Sequence, residues 1–195
     1  MSKMSEDICL VPREGENVRL RPPRKEDAKF FVQMLNNPRI NRFLTRRFPL
    51  PRIEEETWIE NNAEQIKNKE AAHFTIELMH DEKENEVIGI CGLADIDLVN
   101  DVGEAGILLG EDYLEEGYGT EATKLLLGFG FDALNLHRIN AAAVGYNERS
   151  IALQKKLGFK KVGAHKEMIR IKGERYDLVI FGILEDTWRN QNSGN

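Results

Sequence analysis

The sequence predicts an α+β domain built around a β-sheet. Seven segments have strand character and four have helical spacing, in the order strand, two helices, three strands, helix, strand, helix, two strands. The chain has 195 residues, 41% hydrophobic and 31% charged, which is typical of one globular domain. No repeat or low-complexity linker divides it. We therefore expect a single domain over residues 1–195, with 1–16 and 189–195 as flexible tails.

The N-terminal part is predicted to form one strand and two helices. Residues 17–23 alternate like an edge strand that ends at two prolines, which cannot donate to a ladder. Residues 27–35 place apolar side chains at three- and four-residue spacing, which predicts a helix. A proline-marked loop at 46–51 precedes a highly charged helix at 53–69. We expect this second helix to lie on the surface, because its apolar stripe is narrow. The stripe consists of Trp58, Ile59, Ala63 and Ile66.

Three strands should follow. Residues 73–79 alternate, residues 81–85 form a turn and residues 86–99 return, which predicts a hairpin. Residues 104–109 are short and apolar, as expected of a strand that is covered on both faces.

The C-terminal part should alternate helices and strands. From Gly119 the apolar residues fall at helical intervals, and residues 137–146 form another buried strand. Asn147 is a candidate N-cap of the next helix, and Gly158 stands where a left-handed residue would end it. Two strands joined at "KGE" then close the domain, at 160–171 and 175–184.

The segment "LEEGYGTEAT", at 114–123, has the pattern of a phosphate-binding turn. Gly117, Gly119 and Ala122 match the dinucleotide fingerprint G-x-G-x-x-G/A. That fingerprint needs its first glycine directly after a strand, whereas residues 110–116 intervene here. The nearest acidic residue suited to a ribose also lies far beyond the usual ~20 residues. The sequence therefore disfavours a Rossmann domain, and a turn shaped by glycine is the plain alternative.

Three motifs in order resemble the GNAT N-acetyltransferase superfamily. They are a strand ending in "GILL", a loop at 114–119 similar to the family's Q/R-x-x-G-x-G/A pattern, and "NERSIALQKKLGF" at 147–159. The flanks "VRLRPPRKEDA", "NNPRINRFL" and "KGERYDLVIFGILEDTW" resemble the ribosomal-protein N-terminal acetyltransferase branch, so the resemblance covers about 17–188. It implies one mixed, mostly antiparallel, twisted sheet of about six or seven strands, flanked by about four helices, with a splayed central strand pair.

The resemblance also implies acetyl-CoA as co-substrate. A helix N-terminus carries about half a positive charge and unpaired N–H groups, so the amides at the start of the helix would hold the pyrophosphate. The strand at 107–109 would pair with the pantetheine arm and hold the thioester carbonyl. The implied cofactor-binding residues are Ile107, Leu108, Leu109, Leu114, Glu115, Glu116, Gly117, Tyr118, Gly119, Thr120 and Asn147.

Two residue choices in the loop depart from the family pattern. Leu114 occupies the place of the family's Gln or Arg, and Glu115 and Glu116 add negative charge near a dianionic group. Backbone donors can carry phosphate binding at a helix terminus without a basic side chain. We therefore expect the two carboxylates to point to solvent.

The resemblance supplies candidates for the proton transfers. Glu104, at the start of the strand that would hold the thioester, is the candidate base, and Glu167 is the alternative. Many relatives have a tyrosine acid where this chain has Gln154, and glutamine has no mobile proton. Ser150 is then the candidate that protonates the leaving sulfur, with a plain role in its helix's first turn as the alternative. A general acid contributes about a hundred- to ten-thousandfold, so its absence need not abolish turnover.

The expected reaction is direct acetyl transfer to a primary amine in a ternary complex. An α-amine with a pKa near 8 suits a site with a weak base better than a side-chain amine with a pKa near 10.4. We therefore expect a protein or peptide N-terminus as the acceptor. A polyamine is the alternative acceptor, since one helix carries four glutamates: Glu54, Glu55, Glu56 and Glu60. A third possibility is a domain that binds acetyl-CoA as a sensor without turnover.

Composition narrows the remaining classes. The net charge of −6 disfavours a nucleic-acid surface. Cys9, Cys91 and the four histidines have no metal-ligand spacing, so we expect no metal. No secretory signal or run of about 18 apolar residues occurs, so we expect no membrane partner and a cytoplasmic location. A homodimer through the closing strands is possible by analogy with the family.

Overall fold

The computed structural model describes residues 13–44, 48–79 and 85–192. These residues form one eight-stranded sheet in the order β1-β2-β3-β4-β5-β6-β8-β7, with every neighbouring pair antiparallel except β5 and β6. The strands are β1 (Arg13–Glu14), β2 (Val18–Arg21), β3 (Ala72–Leu78), β4 (Val87–Asp97), β5 (Val102–Leu109), β6 (Arg138–Val144), β7 (Lys160–Ile171) and β8 (Glu174–Leu184).

Along the chain, helices follow β2, β5, β6 and β8. They are α1 (Ala28–Asn36), α2 (Pro38–Asn41), α3 (Arg52–Asn68), α4 (Tyr118–Gly128), α5 (Glu148–Lys156) and α6 (Glu185–Asn192). The α+β class and the mostly antiparallel mixed sheet expected from the sequence are confirmed.

Three of these strands and helices, β1, α2 and α6, go beyond the expected ones. β1 has two residues and α2 has four, so neither is long enough to show a periodicity. α6 begins directly after β8 and reaches Asn192. Residues 13–16 and 189–192, which we expected to be tail, are therefore partly in β1 and α6. Residues 1–12 and 193–195 lie outside the described residues, as do residues 46–47 of the expected loop and residues 81–84 of the expected turn.

The two central strands separate after a short parallel pairing. β5 pairs with β6 only at Val102, Gly103 and Glu104, whose partners run from Arg138 to Asn140. Beyond Glu104 the rest of β5 stays paired with β4, and the rest of β6 stays paired with β8. We call the gap that opens between them the fork. The splayed central pair implied by the family resemblance is thus confirmed.

The sheet is packed on both faces. Ile107 and Leu109 pack against the larger cluster, which includes Leu126 and Phe131 from the region of α4. Leu108 packs against the smaller cluster formed by α1, α2 and α3, which includes Phe31. Since successive side chains of a strand point to opposite faces, β5 separates an α4 side from an α1–α3 side.

A buried polar network anchors the N-terminal strand. The Arg21 guanidinium donates to both carboxylate oxygens of Asp27, at 2.7 and 2.8 Å, and to Glu77 on β3. Thr75 donates to Asp27 at 2.8 Å. All four residues are buried, and removing Arg21 would leave the buried Asp27 carboxylate without its cation, a change that costs about 3–5 kcal/mol. The network therefore holds β2, β3 and the start of α1 together.

Among the described residues, no helix has the length and apolar character needed to span a membrane.

Candidate active site

The loop that follows β5 ends in a helix start with free amides. Gly117 is the N-cap of α4 and has φ +89, a left-handed conformation that favours glycine. The Gly117 carbonyl accepts from the N–H groups of Thr120 and Glu121 at 3.0 and 3.2 Å. Among the described residues, none accepts from the backbone N–H groups of 115–119. These amides are therefore available to an anion.

Close packing brings this helix start onto the forked strand. A Cβ at Gly119 would lie 3.3 Å from Cδ1 of Leu109, so only glycine fits this approach without a shift of the leucine. The Thr123 hydroxyl donates to the Gly119 carbonyl at 2.7 Å. The amides of the loop thus lie next to the end of β5.

A cleft of about 350 Å³ lies at the fork, between β5, the start of α4 and α5. We call it the fork cleft. Ten of the residues expected from the sequence line it: Ile107, Leu108, Leu109, Leu114, Glu115, Gly117, Gly119, Thr120, Asn147 and Ser150. Three expected residues do not: Glu104, Glu116 and Tyr118. The cleft's lining combines apolar side chains with the free amides.

The cleft also has walls that the sequence reasoning missed. One face of α5 contributes four further residues at helical spacing, and α2 and its exit contribute two: Arg149, Ala152, Leu153, Lys156, Ile40 and Phe43. The α5 residues could have been found from the sequence, because they lie three or four positions apart on the helix that Asn147 begins. The two residues near α2 had no such signal.

The start of α5 agrees with the expected cap. The Asn147 side-chain oxygen accepts from the Ser150 backbone N–H at 3.2 Å, and Gly158 has φ +87 just beyond the helix. Ser150 is half-buried and lines the fork cleft. Gln154, one turn further, is 5% exposed, and its side-chain oxygen has no hydrogen-bond partner within the described part of the chain.

Glu104 lies where the fork opens, on the α1–α3 side of β5. Glu104, Gly106 and Leu108 share this face because side chains alternate along a strand. A Cβ at Gly106 would meet no atom within 4 Å, so the surface in front of Glu104 is open. Partial burial, followed by the charge of Asp95, raises the pKa of Glu104 above its ordinary value. The fork cleft is lined from both faces of β5, by Ile107 and Leu109 on one face and by Leu108 on the other. Glu104 shares the face of Leu108 but does not itself line the cleft.

The alternative base lies elsewhere. Glu167 is on β7, has φ +51 and is exposed. Its backbone N–H donates to Asp177 at 3.0 Å. It does not line the fork cleft.

The two glutamates of the loop are exposed, as we expected. The Glu115 carboxylate accepts from Arg149 on α5 at 3.0 Å, so an ion pair crosses from the loop to α5. Glu115 also has φ +72. The negative charge of Glu115 near the start of α4 is thus partly neutralised by Arg149, a contact that we did not predict from the sequence.

The residues present fit a thioester co-substrate with a diphosphate. The free amides of 115–119 would hold phosphate oxygens, and the apolar walls at Ile107, Leu109 and Leu153 would cover an extended arm. No group of three or more potential ligand side chains that could hold a metal occurs among the described residues.

Comparison with known proteins finds matches in both sequence and structure. A family model described as an acetyltransferase (GNAT) domain matches residues 17–160. The chain is 29% identical over 170 residues to the uncharacterized N-acetyltransferase p20 of Bacillus licheniformis, covering 87% of this chain and 94% of that protein. It is 26% identical over 179 residues to the spermidine N(1)-acetyltransferase of Escherichia coli strain K12, covering 88% of each. The structure of the ribosomal-protein-S5-alanine acetyltransferase from Vibrio fischeri matches with a TM-score of 0.79 at 25% identity, over 91% of this chain and 98% of that one.

Proposed function

Since this chain belongs to the GNAT acetyltransferase family, we propose that its acceptor is the N-terminal α-amine of a protein or peptide. The chain is an acetyl-CoA-dependent N-acetyltransferase. In the proposed reaction the amine nitrogen attacks the thioester carbonyl directly. The C–S bond breaks, the sulfur leaves as a thiolate that takes up a proton, and the amine's own proton passes to Glu104, directly or through water.

The observation that carries the proposal is the position of Glu104 at the opening of the fork. Its raised pKa makes it a better base than an ordinary carboxylate, although it remains a weak one. An α-amine with a pKa near 8 is about one-tenth neutral at pH 7, whereas an amine near 10.4 is neutral in about one molecule in a few thousand. A weak base therefore serves an α-amine better than a polyamine.

The acidic residues of α3 do not offer a ready polyamine site. Lys25 donates to Glu60 at 3.1 Å, and Arg52 donates to Glu56 at 2.6 Å. Glu54 and Glu55 each have an interaction partner, and Glu55 is buried. A polyamine at α3 would have to displace Lys25 or Arg52 from these carboxylates, so the charge of α3 does not by itself favour a polyamine over an α-amine acceptor.

The relatives support both acceptors by name. The matched Vibrio fischeri protein is called a ribosomal-protein-S5-alanine acetyltransferase, and the Escherichia coli relative a spermidine N(1)-acetyltransferase. Because Glu104 is a weak base, we prefer a protein or peptide N-terminus as the acceptor. A polyamine is the second candidate.

The departing sulfur needs little help. A thiol whose ordinary pKa is near 8.5 is a tolerable leaving group at neutral pH. Ser150 is the proposed proton donor because it lines the fork cleft and sits at the start of α5. The Gln154 side chain is buried and supplies no mobile proton; the family resemblance implies a tyrosine at this position in many relatives.

The test is thiol release from acetyl-CoA in the presence of an acceptor panel of peptides with free N-termini, the same peptides with blocked N-termini, and spermidine. We expect release with the free peptides. Release with spermidine alone would replace the proposal by the second candidate. Binding of acetyl-CoA without release on any acceptor would identify a sensor.

Glu104→Gln tests the base. The neutral fraction of an α-amine rises from about one-tenth at pH 7 to about nine-tenths at pH 9, so the variant should be strongly impaired at pH 7 and recover about ninefold by pH 9. Coenzyme A binding should be unchanged. Glu64→Gln, at an exposed position of α3, is the matched control. A wild-type pH profile in Glu104→Gln, with a loss in Glu167→Gln, would transfer the role to Glu167.

A further inference from the structure

A second cleft, of about 430 Å³, lies beside the fork cleft and shares part of its wall. Five residues line both clefts: Ile40, Phe43, Leu114, Glu115 and Arg149. Its charged lining consists of three arginines and two glutamates from α2, the loop after β5 and α5: Arg39, Arg42, Arg149, Glu111 and Glu115. We call it the arginine cleft.

The charges of the arginine cleft are not balanced. Arg39 is paired with Glu111, and Arg149 with Glu115 at 3.0 Å. The Arg42 guanidinium has no carboxylate partner within the described ranges, and it lies 4.6 Å from the centre of the Phe43 ring. Among these lining residues one positive charge is therefore uncompensated, next to the free amides of Glu115 and its neighbours.

The position of Arg42 is held from the other side of the fork. The Tyr146 hydroxyl, just beyond β6, donates to the Arg42 carbonyl. The Tyr146 ring packs edge-on against Tyr176 of β8, with the ring centres 4.6 Å apart. Asn37 donates to Glu111 at 3.0 Å, which ties α2 to the loop after β5. Arg42 is thus fixed at the backbone while its side chain lines the cleft.

The ion pair between Arg149 and Glu115 can be exchanged for a ligand. The side chains of Arg149 and Glu115 are 51% and 75% exposed, and exposed pairs contribute little to stability. A phosphate or carboxylate can bind a planar guanidinium group through two parallel hydrogen bonds. The Arg149–Glu115 pair is joined by one hydrogen bond. An incoming oxyanion could therefore replace Glu115 on Arg149 at small cost.

We propose that the arginine cleft is an oxyanion site that binds an anionic group of a ligand whose reactive end lies in the fork cleft. The inference rests on the proposed function for the identity of that ligand. The oxyanion has two possible sources, a phosphate of the co-substrate beyond its diphosphate, or an acidic group on the acceptor. Both would use Arg42 as the cation that receives it.

Calorimetry with coenzyme A and 3′-dephospho-coenzyme A tests the first source. If the site holds the 3′-phosphate, Arg42→Gln weakens coenzyme A binding about tenfold and leaves dephospho-coenzyme A binding unchanged, since a hydrogen bond to a charged group is worth about that factor. Arg42→Lys keeps the charge and should lose less. Arg52→Gln, an exposed arginine of α3 paired with Glu56, is the control, and thermal unfolding of each variant monitors folding.

Kinetics with paired acceptor peptides test the second source. The peptides differ only by an acidic or a neutral residue after the N-terminus. If the site holds an acceptor carboxylate, the wild type prefers the acidic peptide in kcat/KM, and Arg42→Gln reduces that preference about tenfold. The inference is overturned if Arg42→Gln changes neither the coenzyme ratio nor the peptide ratio. That result is distinct from a failure of the proposed function, in which the wild type releases no thiol with any peptide.

Discussion

Replacing Gly117 with alanine tests whether the start of α4 binds the diphosphate. Gly117 has φ +89, and a Cβ there would meet no atom within 4 Å. The cost in stability is therefore backbone strain alone, about 1–2 kcal/mol, because L-residues disfavour this conformation. For a chain of this size that lowers Tm by about 2–8 °C. Since Gly117 lines the fork cleft, the added Cβ would keep a phosphate oxygen away from the neighbouring amides. We therefore also expect coenzyme A affinity to fall about tenfold, the equivalent of one charge-assisted hydrogen bond.

Gly173→Ala is the matched control for this prediction. Gly173 has φ +92 in the turn between β7 and β8, and a Cβ there would also meet no atom within 4 Å. Thermal unfolding should show a similar loss of Tm in both variants, while calorimetry should show weaker coenzyme A binding only in Gly117→Ala. Equal affinities in the two variants, whether both reduced or both like wild type, would refute the reasoning that the amides beside Gly117 bind the diphosphate.

Two further predictions follow from the pKa of Glu104 and from the cap of α5. Burial and then Asp95 raise the pKa of Glu104, and a base works only when ionised, so activity is lost as the pH falls through that pKa. Asp95→Asn removes the second cause and should move the acid limb of the kcat/KM profile to lower pH; a limb that stays in place or moves upward would contradict the role of Asp95. Asn147→Ala removes the cap of the Ser150 N–H and should cost about 1 kcal/mol in denaturant unfolding, whereas Asn147→Ser should retain most of it. Equal stability of both Asn147 variants would count against the cap.

Much of the fold could be read from local sequence. The cap at Asn147 and the left-handed Gly158 bound α5, and both signals act within one turn of the helix. The strand at 104–109 and the glycines of the loop after it were also local signals, and most of the expected cofactor-binding residues do line the fork cleft. Their roles in binding remain predictions.

Other parts of the site could not be read in this way. α2 has four residues and no periodicity, yet it places Ile40 at the fork cleft and Arg39 against Glu111. Nothing in the loop sequence indicates that Glu115 is paired with Arg149, because the two residues come together only through the packing of α5.

Short-range chemistry in the chain was thus sufficient for the starts of α4 and α5, the strand alternation and the free amides at Gly117, because caps, turns and periodicity depend on neighbours a few residues apart. The place where β5 and β6 separate depends instead on the pairing of β5 with β4 and of β6 with β8. The face on which Glu104 lies, and the arginines gathered beside the fork, likewise follow from contacts between residues far apart in sequence. Such contacts leave no local pattern, since each is stabilised by the whole fold and not by the adjacent residues.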